Sequence, residues 1–405
     1  MNSLLTKSNL LPVLNSPLSR VYEKSTILNP RASFADYGFL PRNPVKFDIL
    51  TGRELLVAGE MPVLCSSAVQ SELVIRSFHR MGIPFSGNRI VYYDAKDYYS
   101  KLEFICNQNK KMVLQHVHPS YELDSKSYWI KPETLSFLNN KGNIDVLVPP
   151  KYVPYRRKVP FHKLESALHN MQLPAVIKAG IGLPTGGGYG VYICWEKKDI
   201  KSVLDMFTNA TEVIIEEFIH AVRNFCIQFA VSIEGDIFYI GGSEQIVDKE
   251  GKHLGNWITN RSLPNELSEI GRIIMKNAKD IGYIGVAGFD ILLSDDGHFY
   301  VIDLNFRLNG STSSLLIYNK YKHMLNGQGA RLCTFKSENN IESTIGVFEK
   351  LFEDKRAIPI SFYDPLQSPY SKAMPFVTCL VSGENSEVAV SFKKIVYEEF
   401  GLTLK

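Results

Sequence analysis

The sequence predicts an α/β unit with a small parallel sheet, followed by an α+β body. Three observations predict it. Between residues 54 and 94 strand-like and helix-like patterns alternate, as in a βαβ unit. A strand-like run at residues 175–178 leads into six glycines within the eleven residues 180–190. Apolar runs on either side of Ser294-Asp-Asp-Gly297 predict a β-hairpin with carboxylates on both strands.

Residues 1 to about 50 are rich in Asn, Ser, Pro and Arg and show weak periodicity, so irregular structure is expected there. Glu54–Gly59 reads as a strand, residues 67–81 carry helical spacing, and Arg89–Asp94 reads as a second strand. A helix over 98–108 and a strand over 111–116 follow, and Ile144–Pro150 closes this portion. Beyond it, a helix at 164–171, strands at 175–178 and 190–195, a helix at 199–207 and a strand at 212–219 form a second unit. Strand pairs at 225–232 and 236–240 and a long helix at 267–281 precede the hairpin. Past Thr312 the signals weaken. A helix at 342–352, strands at 377–382 and 388–392, and a terminal helix at 393–400 suggest a small α+β end. The expected division is residues 1–150, 151–325 and 326–405.

The 405 residues carry a net charge of +3, too small to indicate a nucleic-acid or polybasic membrane binder. Six cysteines are scattered without a CxxC, which favours reduced thiols over a disulfide framework or a zinc site. No stretch approaches the roughly 18 apolar residues of a membrane span, and the N-terminus lacks a secretory apolar core. A soluble, cytoplasmic protein is expected, with neither nucleic acid nor membrane as a partner.

Strand alternation places Asp303, Asn305 and Arg307 on one face of the hairpin, with Asp290 on the neighbouring strand. Hard oxygen ligands of this kind suit Mg²⁺, and the guanidinium offers a fork for phosphate or carboxylate oxygens. A solvated hairpin face would carry the same pattern. The glycine-rich stretch behind Lys178 fits a loop that covers phosphates: glycine lets backbone N–H groups curl around an anion, Thr185 offers a hydroxyl, and Lys178 a point charge. It is neither a Walker A loop nor a Rossmann turn, and it also reads as a flexible hairpin loop. Val213–Ile219 is an apolar strand ending in Glu216-Glu217-Phe218-Ile219, whose backbone and carboxylates would suit an adenine edge or a ribose.

In this order, over roughly residues 160 to 315, the motifs resemble the ATP-grasp superfamily. The resemblance implies a Rossmann-like pre-grasp domain followed by a two-lobe ATP-grasp fold. It makes Lys178 the nucleotide-phosphate lysine, Thr185 with Gly186, Gly187 and Gly188 the mobile loop, and Glu216, Glu217, Phe218 and Ile219 the adenine hinge. Asp290, Asp303 and Asn305 become ligands of Mg²⁺ or Mn²⁺, and Arg307 the catalytic arginine alongside Lys178. An upstream lysine reaching the α-phosphate is expected at Lys101. Two departures stand out. Asp303 occupies a position usually held by Glu, and Arg223 falls where the family often has an acid that contacts the ribose.

The chemistry implied is ATP-dependent activation of an amino-acid carboxylate as an acyl phosphate, its capture by an amine or thiol, and release of ADP and phosphate. General likeness points to ATP-grasp ligases of antibiotic biosynthesis, among them those of the butirosin pathway that load L-glutamate onto an acyl-carrier protein. The basic run Tyr155-Arg-Arg-Lys158 would suit such an acidic carrier, or be a solvated linker. A free-standing dipeptide ligase and a nucleotide-binding regulatory protein are the competing readings.

Overall fold

In a computed structural model, residues 11–15, 17–36, 38–180, 184–186, 188–248 and 253–405 are described. Four short strands, β1 (Ile27–Asn29), β2 (Val63–Ser66), β3 (Arg89–Tyr92) and β4 (Met112–Leu114), form an all-parallel sheet in the order β3-β2-β1-β4. Helices α1 (Pro44–Leu50), α2 (Glu72–Arg80) and α3 (Ala95–Asn107) belong to this unit. The Asp94 side chain caps α3 by accepting from Asp97 N at 2.8 Å.

Two expectations fail here. The stretch read as irregular supplies β1, and Glu54–Leu56 is a 3-10 turn rather than a strand. The true strand is β2, buried at all four positions. A central parallel strand is covered on both faces and must be apolar throughout, which Val63-Leu64-Cys65 satisfies and the charged start of the 54–59 run does not.

After α4 (Pro132–Leu138) and α5 (Ile144–Leu147), a small lobe is built on β5 (Arg156–Pro160), β6 (Ala175–Ala179), β7 (Val191–Cys194) and β8 (Glu212–Glu217). These run antiparallel in the order β5-β8-β6-β7, covered by α6 (Leu164–His169) and α7 (Ile200–Phe207). Leu164, Leu168, Val203 and Phe207 give this lobe its own apolar core with Ile177, Val213 and Ile215.

The third sheet has eight strands, all antiparallel to their neighbours: β9 (Ala221–Val231), β10 (Ile237–Val247), β11 (His253–Thr259), β12 (Gly285–Ser294), β13 (Phe299–Asn305), β14 (Gly329–Lys336), β15 (Ala357–Tyr363) and β16 (Phe376–Gly383). Their order is β13-β12-β9-β10-β11-β14-β16-β15, so three strands from the C-terminal stretch extend the sheet that carries the hairpin. Helix α8 (Asn265–Asp280) packs on β9, burying Ile270, Ile274 and Met275.

Helix α9 (Gly310–Tyr321) was not anticipated, because Gly-Ser-Thr-Ser-Ser is a poor helical start on propensity alone. Asn309 starts it, accepting from Ser311 N at 3.0 Å, while burial of Ser311 through Tyr318 holds it in place. Helices α10 (Ile341–Glu353) and α11 (Val388–Phe400) complete the fold. Residues 388–392 open α11 instead of forming a strand. Their Val-Ala-Val-Ser-Phe alternation is overridden by a buried helical stripe of Ala389, Phe392 and Val396.

Candidate active site

The hairpin behaves as the sequence implies. Asp290 on β12 lies directly opposite Asp303 on β13, and Gly288 opposite Asn305. A Cβ at Gly288 would sit 2.1 Å from Gln228 Nε2 and 2.2 Å from Asn309 Nδ2, so a larger residue would have to displace those two side-chain amides. The register shifts just after Asp290, an irregularity of the kind that re-aims side chains near sites. Asn305 Nδ2 approaches Asp303 Oδ2 at 3.4 Å, and Arg307 donates to the Asn305 side-chain oxygen. The structure thus brings Asp290, Asp303, Asn305 and Arg307 together.

Electrostatics separate the two carboxylates. Burial and then the charge of Asp303 push the Asp290 carboxyl above its ordinary range, against the Cys226 hydrogen bond. Gln245, near the C-terminal end of β10, donates to Asp290 Oδ1 at 2.6 Å. Burial also pushes Asp303 up, but the Lys141 ammonium against its Oδ1, with Lys178 and Arg307 behind, outweighs that and leaves it below the usual range. Two adjacent half-buried acids, one resisting ionisation, together with an amide oxygen form a hard-oxygen donor set that a divalent cation would complete. Among the described residues no group of three His, Cys, Asp or Glu side chains could hold a metal alone, so such a cation would need oxygens from a ligand as well.

The small lobe reaches the hairpin through Lys178. Its Nζ donates to the Ile302 carbonyl at 2.7 Å and forms an ion pair with Glu216. Glu216, 2% exposed, also faces Arg156 Nη2 at 3.2 Å across the β5–β8 pair. Arg156 in turn donates to the Lys141 carbonyl. One chain of charge therefore runs from Arg156 through Glu216 and Lys178 to β13, and from Lys141 to Asp303.

This arrangement corrects several expectations. The Glu216 carboxylate, expected to be available at the hinge, is committed to Lys178 and Arg156 inside the sheet. Glu217 is exposed, and its carboxylate accepts from Tyr155 N at 2.7 Å. Beyond the strand end Phe218 lies 4.9 Å from Trp195 and 5.2 Å from His220, and Ile219 follows it half-buried. Lys101 lies on α3 beside Asp97 at 3.5 Å and is no part of the charge network; the lysine that reaches the hairpin is Lys141. The basic run at 155–158 is no linker: it enters β5, with Arg156 turned inward and Tyr155, Arg157 and Lys158 exposed. Arg223 forms an ion pair with Glu244 on β10, so an acid stands beside it from the neighbouring strand.

The glycine-rich loop docks on the rest of the molecule at Pro184 and Thr185. Phe39 N donates to Pro184 O at 2.8 Å, and Arg307 Nη2 to Thr185 O at 3.1 Å. Tyr189 N closes back on Gly186 O at 3.1 Å, with Gly188 and Gly190 at φ of +85° and +76°. Gly187 lies outside the described residues. Asn139, at the C-terminal end of α4, steadies Arg307 from the other side: its Oδ1 accepts from Arg307 Nη1 at 2.7 Å and from Phe306 N at 3.0 Å.

Asn139, Lys141, Arg156 and Gln245 escape sequence reasoning. Asn139-Asn-Lys-Gly-Asn143 reads as a turn, Arg156 hides in a basic run, and Gln245 is one polar residue in a long strand. The only available signal was a lysine upstream of the small lobe and an arginine opening its first strand.

The domain order and this charge network can be set beside known proteins. Residues 154–305 match the ATP-grasp domain described as that of L-aspartate–L-methionine ligase, and residues 17–136 match the N-terminal domain of the same ligase. The chain belongs to the ATP-grasp ligase family. The 2-oxoglutarate carboxylase small subunit of Hydrogenobacter thermophilus is 22% identical over 143 residues, which cover 33% of this chain and 30% of that protein. The biotin carboxylase of Nostoc sp. is 26% identical over 144 residues, covering 33% and 31%. The chain thus aligns with under a third of the length of each of these relatives. Over nearly the whole chain its fold is that of N5-carboxyaminoimidazole synthetase from Staphylococcus aureus complexed with ADP (TM-score 0.55, 12% identity, 95% of this chain and 99% of the other). It is equally that of biotin carboxylase from Campylobacter jejuni (TM-score 0.55, 14% identity, 94% and 92%). No helix among the described residues of this ATP-grasp protein is long and apolar enough to cross a membrane.

Proposed function

We propose that this protein is an ATP- and Mg²⁺-dependent carboxylate–amine ligase that joins L-aspartate to L-methionine and releases ADP and phosphate. The observation that carries the reading is that both the N-terminal and the ATP-grasp portions match domains of the same ligase, around an assembled Asp290/Asp303/Asn305/Arg307 site. The structural neighbours complexed with ADP, ATP or MgADP support the nucleotide and the metal.

In this reading Asp290, Asp303 and Asn305 would hold Mg²⁺ beside the nucleotide, and the ion would supply screening of phosphate charge during phosphoryl transfer. Lys178 and Lys141 carry positive charge to the same carboxylates, each held by an acid and so fixed in place before substrate arrives. Arg307, clamped by Asn139 and Asn305, presents a fixed fork to the reacting carboxylate or phosphate. Because it also holds Thr185 O, it ties that part of the glycine-rich stretch to the reacting end of the site, where it would help to keep water from the acyl phosphate. No covalent enzyme intermediate is needed.

A carrier-protein thiol as acceptor is a second reading, drawn from the basic run at 155–158. Arg156 spends its charge on Glu216, so only Arg157 and Lys158 of that run face solvent, and the match of both domains to an amino-acid ligase favours the amine acceptor. The test is phosphate release from MgATP with a panel of amino acids, singly and in pairs. Release that needs L-aspartate and L-methionine together supports the proposal; release with neither, or with a carrier protein only, overturns it.

A further inference from the structure

Arg53 stands just before the 3-10 turn Glu54–Leu56, half-buried, and its guanidinium makes no hydrogen bond and no ion pair among the described residues. Its Nε is shielded from water yet has no partner there. The acid beside it is Glu54, 0% exposed, whose Oε1 accepts from Gln115 Nε2 at 3.3 Å and whose Oε2 has no partner among the described residues. Burial pushes that carboxyl up to about 7, so at neutral pH it is only partly a counter-ion. On its other side the cation meets α9: a Cβ on Gly310, the first residue of that helix, would stand 3.4 Å from Arg53 Nη1. A helix N-terminus carries partial positive charge, so it adds to the excess instead of cancelling it. This charge lies at the reacting end of the site. Gly310 follows Arg307 by three residues, at most roughly 11 Å of backbone. Arg53, Arg307, Asn309 and Gly310 are all half-buried, each with part of its surface open, so a small molecule reaches them without parting the core.

We propose that Arg53 holds the side-chain carboxylate of an acidic amino-acid donor and so determines which carboxyl reacts. The proposal rests on the ligase reading and deepens it. An acidic amino acid offers two carboxylates, and a site that activates one must keep the other away from the γ-phosphoryl group. Two arginines set apart along one short segment do this. Arg307, beside the metal ligands, receives the α-carboxyl, and Arg53 pairs with the second through charge-assisted hydrogen bonds.

The same arrangement selects the donor. A donor with an uncharged side chain would cover Arg53 without supplying an anion, and desolvating an unpaired cation is costly. The charge that the fold leaves unpaired is completed by the substrate, and the positive end of α9 favours the same anion.

Hydroxylamine isolates the donor step, because it captures an acyl phosphate as a hydroxamate, with release of phosphate, and needs no second amino acid. With MgATP, wild type is expected to prefer L-aspartate over its near-isostere L-asparagine in kcat/KM for hydroxamate formation. In R53Q and R53M that preference should fall about 100-fold, the scale of losing one partner of a buried charge pair. The KM for L-methionine in dipeptide formation at saturating L-aspartate should stay within about twofold of wild type. Neither variant should unfold at a lower urea concentration than wild type, since the guanidinium gives up no partner within the fold. An unchanged preference in both variants overturns the role given to Arg53. So does a rise confined to the KM for L-methionine, which would put the acceptor's carboxylate there. Hydroxamate formed by wild type from uncharged amino acids in preference to L-aspartate overturns the acidic donor. Absence of hydroxamate and of phosphate release with every amino acid overturns the ligase reading itself, and this proposal with it.

Discussion

Glu216 gives the sharpest test of how the site is held together. It is 2% exposed, between Lys178 and Arg156, and each of those cations has its carboxylate partner there. Glu216→Ala leaves two buried cations without their counter-ion, while removing one member of a buried pair typically costs 3–5 kcal/mol. We predict that the small lobe loses about 4 kcal/mol, since its two central strands, β6 and β8, are the ones bridged. Trp195 sits just past β7 at the edge of this lobe, so its fluorescence in a urea titration reports the loss; Trp129 and Trp257, replaced by Phe, remove the background. The rest of the fold has separate apolar cores and should unfold at an unchanged urea concentration by far-UV circular dichroism. If Glu216 instead served mainly to contact nucleotide, the variant would be as stable as wild type and would only raise KM for ATP. A change in stability below about 0.5 kcal/mol, the scale of an ordinary surface substitution, refutes the packing argument.

Asp303→Ala or Asn305→Ala should abolish MgATP-dependent turnover with the circular dichroism spectrum unchanged; wild-type rate in either removes both from the metal site. Arg307→Lys keeps the charge but loses the fork to Asn139, Asn305 and Thr185, so kcat should fall at least tenfold with little change in KM for ATP, checked by steady-state kinetics. Glu54 is buried, and desolvation, partly offset by Arg53, pushes its carboxyl up to about 7 from an ordinary 4.5. The folded state therefore favours the neutral acid, so this contribution to stability is full below pH 4.5 and is lost as pH rises through about 7. Glu54→Gln should stabilise the protein by roughly 3 kcal/mol at pH 8 and by almost nothing at pH 4, read from urea midpoints at the two pH values. An equal effect at both would refute that environment.

What the sequence made legible was wherever polar residues interrupt an apolar pattern with strand spacing. Asp290, Asp303 and Asn305 are of this kind, and the turn at Asp295-Asp296-Gly297 fixed their register. Lys178 was legible for the same reason, as a charge closing an apolar strand. What stayed hidden depends on contacts distant in sequence. Lys141 meets Asp303 across 162 positions, and Arg307 meets Asn139 across 168, which no local pattern encodes. Lys101 failed for the converse reason: its helix was legible, but the direction that helix faces was not. Similarly, α9 depends on burial of a serine-rich turn by surrounding elements, so propensity argued against it.

The central claim is that a substrate carboxylate attacks the γ-phosphoryl group, and isotope transfer tests it most directly. L-Aspartate labelled with ¹⁸O in both carboxylates, incubated with MgATP, L-methionine and the enzyme, should yield ADP and phosphate carrying one ¹⁸O atom, because the bridging oxygen of an acyl phosphate leaves with phosphorus. Phosphate without ¹⁸O, or the label appearing in AMP beside pyrophosphate, would contradict it.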